Sequence, residues 1–139
     1  MEALPNIEAP GRGLHAVEPA VIARAHTDSS IEAKVRSVHD AVAAVYHVEK
    51  HLLGRPTRGR SRVAFARQVA MYLAHVTFGL TLTTVGRAFG RDRTTVAHAC
   101  RLVEDARDDP EFDRTLELLE AIAKRLAFLD GARPILPAE

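Results

Sequence analysis

The sequence has 139 residues, which allow one ordinary domain together with flexible ends. Apolar residues make up 47% of it, enough for a packed core, and no stretch approaches the roughly 20 consecutive apolar residues that span a bilayer. Cys100 is the only cysteine, which excludes an intrachain disulfide, and the first 30 residues contain no apolar run typical of a signal peptide. We therefore expect a cytoplasmic protein.

The first part of the chain predicts a flexible arm followed by one long helix. Residues 1–28 are rich in proline, glycine and small residues, a composition typical of disorder. Ser29 and Ser30 are good N-caps, and apolar residues recur every three or four positions after them, so we expect a helix that ends at about Leu53. Gly54 ends that helix, and the loop after it contains four arginines, namely Arg55, Arg58, Arg60 and Arg62.

Beyond the loop, apolar spacing predicts a helix from Val63 to about Val76, which Gly79 helps to end. Near the C-terminus, residues 108–130 predict an amphipathic helix, and the proline-rich residues 131–139 predict a flexible tail. No stretch alternates as a β-strand does, so the predicted fold class is all-α. The side chains expected to face the core are Phe65, Val69, Ala70, Tyr72, Leu73 and Val76 in the first of these helices and Leu116, Leu119, Ile122, Ala123 and Leu126 in the second.

Residues 82–103 have the spacing of a helix-turn-helix. A short helix is predicted over residues 82–89, with Thr81 as its N-cap, and a second over residues 93–106, with Asp92 as its N-cap. Glycines support this interpretation, because one opens the turn, where a positive φ favours glycine, and the other stands where two helices cross closely. These two glycines are Gly90 and Gly86, and the side chains expected to face inward are Val85, Phe89, Val96, Ala99 or Cys100, and Val103.

The side chains that this arrangement points outward suit a DNA groove. Arginine can bind guanine at two points, threonine can donate a hydrogen bond or contact the thymine methyl group, and aspartate can accept from a cytosine amino group. The residues expected in the major groove are Arg91, Asp92, Arg93, Thr94 and Thr95. Those expected at phosphates are His98 and Arg101 and the loop residues Arg55, Arg58, Arg60 and Arg62. The charge distribution agrees, because residues 55–107 contain ten arginines, no lysine and three acidic residues, although the net charge of the chain is only +1.

Two stretches, VAFARQVAMYLA at 63–74 and LTTVGRAFGRDRTTVAHAC at 82–100, resemble the C-terminal DNA-binding domain of the bacterial replication initiator DnaA. That family carries an A-R-P-R-Q-x-A-M-x-L helix and then the signature I-G-x-x-F-G-G-R-D-H-T-T-V-x-H-A-C, and the similarity covers about residues 31–105. The resemblance implies a Trp-repressor-like helix-turn-helix that binds duplex DNA. It also implies that the segment matching R-D-H-T-T enters the major groove, that Arg67 enters the minor groove and that His98 lies near the phosphates.

Three features depart from the family pattern. Arg93 stands where the family has histidine, and the single Gly90 replaces a double glycine, so the turn is one residue shorter. Phe65 and Ala66 replace the first arginine and the proline of the A-R-P-R motif. A shorter turn and a different base-reading side chain can change the preferred DNA sequence. No phosphate-binding Gly-x-x-x-x-Gly-Lys-Ser/Thr motif occurs, so we expect a stand-alone DNA-binding domain without the ATPase module and without a nucleotide site.

The sequence therefore predicts a sequence-specific double-stranded DNA-binding protein that regulates transcription or replication initiation. The alternative is a protein-interaction module that uses the C-terminal helix, whose surface suits a homodimer or a protein partner if it does not simply pack on the domain. An enzyme is not expected, because no nucleophile–base pair or carboxylate dyad is evident. Neither a cofactor nor a metal site is expected, because His47 and His51 have no third ligand in a fixed frame.

Overall fold

The computed structural model describes residues 28–53 and 61–131, which form helices and connecting turns without a β-strand in either range. The chain divides into two compact units after Glu32, and the packed core belongs to the second. No helix within these two ranges is both long and apolar enough to cross a membrane. The helices are α1 (28–46), α2 (Lys50–Leu53), α3 (Ser61–Tyr72), α4 (Leu82–Phe89), α5 (Arg93–Ala106) and α6 (Pro110–Gly131), and α3 continues as a π-helical turn, Leu73–Thr77.

The all-α prediction is confirmed, but the first long helix ends earlier than expected. His47 adopts a left-handed conformation with φ 55°, and the Val48 N–H donates to the Ala43 carbonyl at 3.1 Å. This six-to-one hydrogen bond around a positive-φ residue is the Schellman arrangement that ends helices, here with histidine in the place that glycine usually takes. The prediction of one helix reaching Leu53 was therefore wrong, because the short α2 is separated from α1 by this turn.

Helix α3 is the centre of the core. Most of its side chains are buried, and they pack against α5 and α2. At its C-terminal end the Phe78 N–H donates to the Leu73 carbonyl, which widens the last turn into a π-helix. Val76 was expected in the core but is 48% exposed, because the wider turn shifts the helical phase that the sequence pattern assumes.

Helix α6 packs on the same core through one face. Leu116, Leu119 and Ala123 are fully buried, as the apolar pattern predicts, whereas Ile122 and Leu126 are half-buried. Among the contacts that join α6 to other helices, Phe112 packs at a tilt against Phe65 with a centroid distance of 5.3 Å, Thr77 donates to Glu120 at 3.2 Å, and Arg36 forms an ion pair with Asp130 at 2.7 Å. The predicted arm 1–28 and tail 131–139 lie outside the described residues, except that residue 28 and Gly131 are helical.

His39 on α1 makes the stability of the fold depend on pH. Its ring packs edge-on against Phe89 at a centroid distance of 4.9 Å, and its Nε2 is buried without a hydrogen-bond partner among the described residues. Burial lowers the pKa of His39 below its ordinary 6.5, and the nearby Lys50 adds to this, while Asp40 opposes it. The unfolded chain therefore binds a proton more readily than the native state, and native stability falls as the pH falls below 6.5.

We expect urea unfolding of the wild type, followed by circular dichroism, to show stability decreasing between about pH 7 and pH 5. His39→Leu removes the titrating group and keeps an apolar contact with Phe89, so it should flatten this dependence. His98→Gln, at an exposed position, serves as the control and should leave the dependence unchanged. An unchanged pH dependence in His39→Leu would show that another group is responsible.

Candidate nucleic-acid interface

Helices α4 and α5 begin at the positions that the sequence predicted, each with a side-chain cap. Thr81 has extended backbone angles, and its Oγ1 accepts from the Thr84 N–H at 3.0 Å. Asp92 does the same for α5, where its Oδ1 accepts from the Thr95 N–H at 2.8 Å. These bonds satisfy backbone donors that lack partners at a helix start. Hydrogen bonds from Thr95, and to a lesser degree Thr94, hold the pKa of Asp92 below its usual range, so the cap stays ionised.

The turn between the two helices depends on two glycines. Gly90 ends α4 with φ 66°, in the left-handed region, and its N–H donates to the Gly86 carbonyl. Gly86 is buried, and a Cβ atom added to it would overlap the carbonyl oxygen of Arg91. The Arg91 N–H in turn donates to the Gly86 carbonyl at 2.8 Å. The short turn is therefore pressed against α4, which fixes where α5 starts.

The inward faces of the two helices match the prediction. The side chains assigned to the core are at most 2% exposed, and of the two alternatives at positions 99 and 100 it is Ala99 that is buried. Cys100 is half-buried, and burial followed by the charge of Glu104 raises the pKa of its thiol. The buried residues are Val85, Phe89, Val96, Ala99 and Val103.

The opposite side of α5 presents a contiguous polar surface. Arg93, Thr94 and Thr95 form its first turn and are all exposed. His98 and Arg101 are exposed on the following turns, on the same side as Thr94 because they follow it at helical spacing. The structure thus places these five predicted residues on the exposed side of one helix, with Arg93, Thr94 and Thr95 at its start. The positive end of the helix dipole adds to their charge at this place.

Arg91 and Asp92 have structural partners within the turn. The Arg91 Nη1 donates to the carbonyls of Phe89 and Gly90, at 3.2 and 3.3 Å, and the side chain is half-buried. These carbonyls end α4, so the guanidinium stabilises the negative end of that helix. Asp92 is exposed but uses Oδ1 for the cap described above. Their contact with bases stays a prediction, and both side chains also hold the turn that positions Arg93.

Arg67, expected in the minor groove, lies in the interior of this structure. It is only 7% exposed, and its Nε donates to the Leu53 carbonyl at 2.9 Å, which satisfies an acceptor at the end of α2. Desolvation lowers the pKa of Arg67, and the like charge of nearby Arg91 lowers it further. Sequence reasoning did not foresee this burial, because a lone arginine on an otherwise apolar helix face does not reveal which carbonyl it will meet.

The four loop arginines expected at phosphates fall into two groups. Arg62 is exposed in the first turn of α3. Arg55, Arg58 and Arg60 lie outside the described residues, so the prediction for these three stays as the sequence states it.

A polar network missed by the sequence reasoning fixes the far end of α5. The Tyr72 hydroxyl donates to Glu104 Oε2 at 3.0 Å and accepts from Arg107 Nη1 at 2.9 Å. Arg107 Nε also donates to Asp113 Oδ1 at 2.6 Å, and the bonds to Asp113 and Tyr72 raise the pKa of the guanidinium. The network joins α3, α5 and α6. The signal available in the sequence was a tyrosine on a buried helix face, since a buried hydroxyl needs a partner.

Comparisons with known proteins agree with this geometry. The family model for the bacterial DnaA protein helix-turn-helix matches residues 35–103. The chromosomal replication initiator protein DnaA of Symbiobacterium thermophilum is 40% identical over 90 residues, covering 63% of this chain and 19% of the relative. The DnaA protein of Bartonella quintana is 43% identical over 91 residues, covering 64% of this chain and 18% of the relative. The chain thus spans about a fifth of the length of these relatives.

A solved structure described as a DNA replication initiation factor is similar over most of the chain. The two superimpose with a TM-score of 0.66 and 28% sequence identity, covering 86% of this chain and 36% of the other. The family match contains α3, α4 and nearly all of α5, together with the glycine-dependent turn and both caps. Residues 35–103 therefore belong to the bacterial DnaA helix-turn-helix family, a family of DNA-binding domains.

Proposed function

We propose that this protein binds double-stranded DNA in a sequence-specific manner, with the first turn of α5 in the major groove. The observation that carries the proposal is the exposed cluster Arg93, Thr94 and Thr95 at the start of a capped helix. An α-helix fits the major groove of B-DNA, and helix-turn-helix proteins read bases with the N-terminal residues of their second helix. The inward residues of α5 are buried, which supports contact with DNA through the exposed side that carries this cluster.

The chemistry of each exposed side chain indicates whether it recognises a base or binds a phosphate. Arg93 suits guanine, whose O6 and N7 accept two parallel hydrogen bonds, whereas Thr94 and Thr95 suit a hydrogen bond or a thymine methyl group. Arg101 and Arg62 suit phosphates, which fix the register without reading sequence. Because arginine at position 93 replaces the family's histidine, we expect a preferred site that differs from the initiator's own at the base contacted there.

We further propose that binding regulates replication initiation or transcription by occupying DNA. The named relatives are replication initiators, which favours a role at initiator-type sites. We propose no catalytic step, nucleotide or cofactor, because the proposed action needs only the DNA-binding surface. On this proposal the protein works in the cytoplasm at the chromosome.

The test is selection of bound fragments from genomic DNA at a stated salt concentration, followed by binding titrations with the enriched duplex and a shuffled duplex of equal length. We expect the enriched duplex to bind at least about tenfold more tightly, as sequence readout requires. Enrichment at the origin would support the replication role, and enrichment at promoters the transcriptional one. Equal binding to both duplexes would contradict sequence specificity. No binding even at low salt would favour the protein-interaction alternative, which the exposed side of α6 supports.

A further inference from the structure

The outer side of α6 carries apolar side chains that nothing in the described chain covers. Leu118, Phe128 and Leu129 are 55%, 67% and 54% exposed, and they make up three of the five large exposed hydrophobic residues in the described ranges. Leu118, Ala121, Arg125 and Phe128 follow one another at three- and four-residue spacing, so they form one stripe opposite the buried face of α6. We call these four residues the outer stripe.

The two halves of α6 differ in charge. Its first half is acidic, with Glu111, Asp113, Glu117 and Glu120 against one basic residue, Arg114. The second half contains Lys124 and Arg125 together with Asp130, whose charge is paired with Arg36. Glu117 and Arg125 are both exposed beside or within the outer stripe, and neither has an ion-pair partner among the described residues. A stripe with an acidic residue, Glu117, beside its first member and a basic residue, Arg125, in its second half is complementary to itself when turned end for end.

We propose that the outer stripe is the interface of a homodimer in which α6 packs antiparallel against α6 of a second copy. The spacing of the stripe is symmetric about position 123, so Leu118 of one copy lies opposite Phe128 of the other, and Ala121 lies opposite Arg125. Glu117 of each copy then comes within one helical turn of Arg125 of the other, which gives two equivalent ion pairs. A parallel pairing would instead place like charges together, which disfavours it.

The size of the stripe sets the strength of the dimer. From Leu118 to Phe128 it is about 15 Å long, at 1.5 Å per residue, and one helix wide. Stable interfaces bury about 800 Å² per partner. The outer stripe is too short and narrow to bury that much, so the dimer that it forms in solution is weak. Two copies on neighbouring half-sites of one duplex would gain from the high effective concentration, which multiplies their affinities. Only this last consequence rests on the proposed DNA binding.

The test is sedimentation equilibrium of the full chain without DNA, over a concentration series. The average mass of the wild type should rise from 15.2 kDa toward twice that value. Glu117→Arg and Arg125→Glu should each weaken dimerisation by about tenfold or more, and the double variant should restore it, because the two ion pairs are re-formed with reversed charge. Phe128→Glu should also give a monomer with unchanged helical circular dichroism. Arg87→Glu, a charge reversal at an exposed position of α4, is the matched control and should dimerise as the wild type does.

A wild type that stays at 15.2 kDa at every concentration would overturn the proposal. Dimerisation of that monomer only after removal of residues 1–27 or 132–139 would show that an end of the chain, and not a second copy, occupies the outer stripe, which also overturns the proposal. Single reversals without effect, or a double variant that stays monomeric, would contradict the antiparallel register. Because no DNA is present, none of these results bears on the proposed function.

Discussion

Arg93→Ala is expected to reduce the discrimination between the preferred duplex and a shuffled one by about 1–3 kcal/mol, or roughly five- to 150-fold. Arg93 is exposed in the first turn of α5, where its guanidinium can bind guanine through two hydrogen bonds. The variant loses only one of the positive charges that attract phosphates. Its affinity for the shuffled duplex should therefore change much less than its affinity for the preferred duplex. Titrations of both duplexes at one salt concentration measure the effect.

Arg101→Ala is the matched control, because it removes the same side chain from an exposed position two turns further along α5. It should weaken binding to both duplexes equally and reduce the slope of log affinity against log salt by about 0.9, the value for one phosphate contact. If Arg101→Ala abolished discrimination while Arg93→Ala changed only the salt slope, the base-reading and phosphate-binding residues would be reversed relative to our assignment.

Gly86→Ala is expected to destabilise the fold by about 1–3 kcal/mol, the usual cost of forcing an extra carbon into a packed site. The added Cβ would overlap the Arg91 carbonyl oxygen, which belongs to the backbone and cannot rotate away as a side chain can. The segment that carries Arg91, Asp92 and Arg93 must therefore shift from α4. We expect the variant to lose discrimination between duplexes as well as stability, and urea unfolding together with DNA titration tests both.

Gly131→Ala provides the control, since it is the same substitution at the end of α6, where a Cβ would meet nothing within 4 Å. It should be neutral or slightly stabilising, because alanine favours helix more than glycine does. A Gly86→Ala variant as stable as Gly131→Ala would show that the turn adapts freely, and the proposed positioning of Arg93 by the turn would be wrong.

The helix-turn-helix could be predicted closely because its signals are local. Thr81 and Asp92 begin the two helices, Gly90 supplies the positive φ between them, and each of these residues acts within three or four positions of itself. The apolar spacing likewise identified Phe89 and Val96 as buried. Local signals of this kind need no knowledge of the remaining chain.

The features that the sequence did not predict depend on tertiary packing or on an unusual residue. The end of α1 was missed because His47, not glycine, adopts the left-handed conformation there. The burial of Arg67 requires the Leu53 carbonyl, 14 positions earlier, and the bond between Tyr72 and Arg107 spans 35 positions. Pairings across such distances are set by the fold and leave no periodic signal.

Base analogues that alter one groove at a time in the selected duplex test whether Arg93 reads bases in the major groove. Replacing guanine with 7-deazaguanine removes the N7 acceptor from the major groove, and replacing it with hypoxanthine removes the amino group from the minor groove. If Arg93 reads guanine from the first turn of α5, at least one 7-deazaguanine position should weaken binding of the wild type but not of Arg93→Ala. Full binding to every 7-deazaguanine duplex, with loss confined to hypoxanthine duplexes, would place recognition in the minor groove and contradict base reading by Arg93.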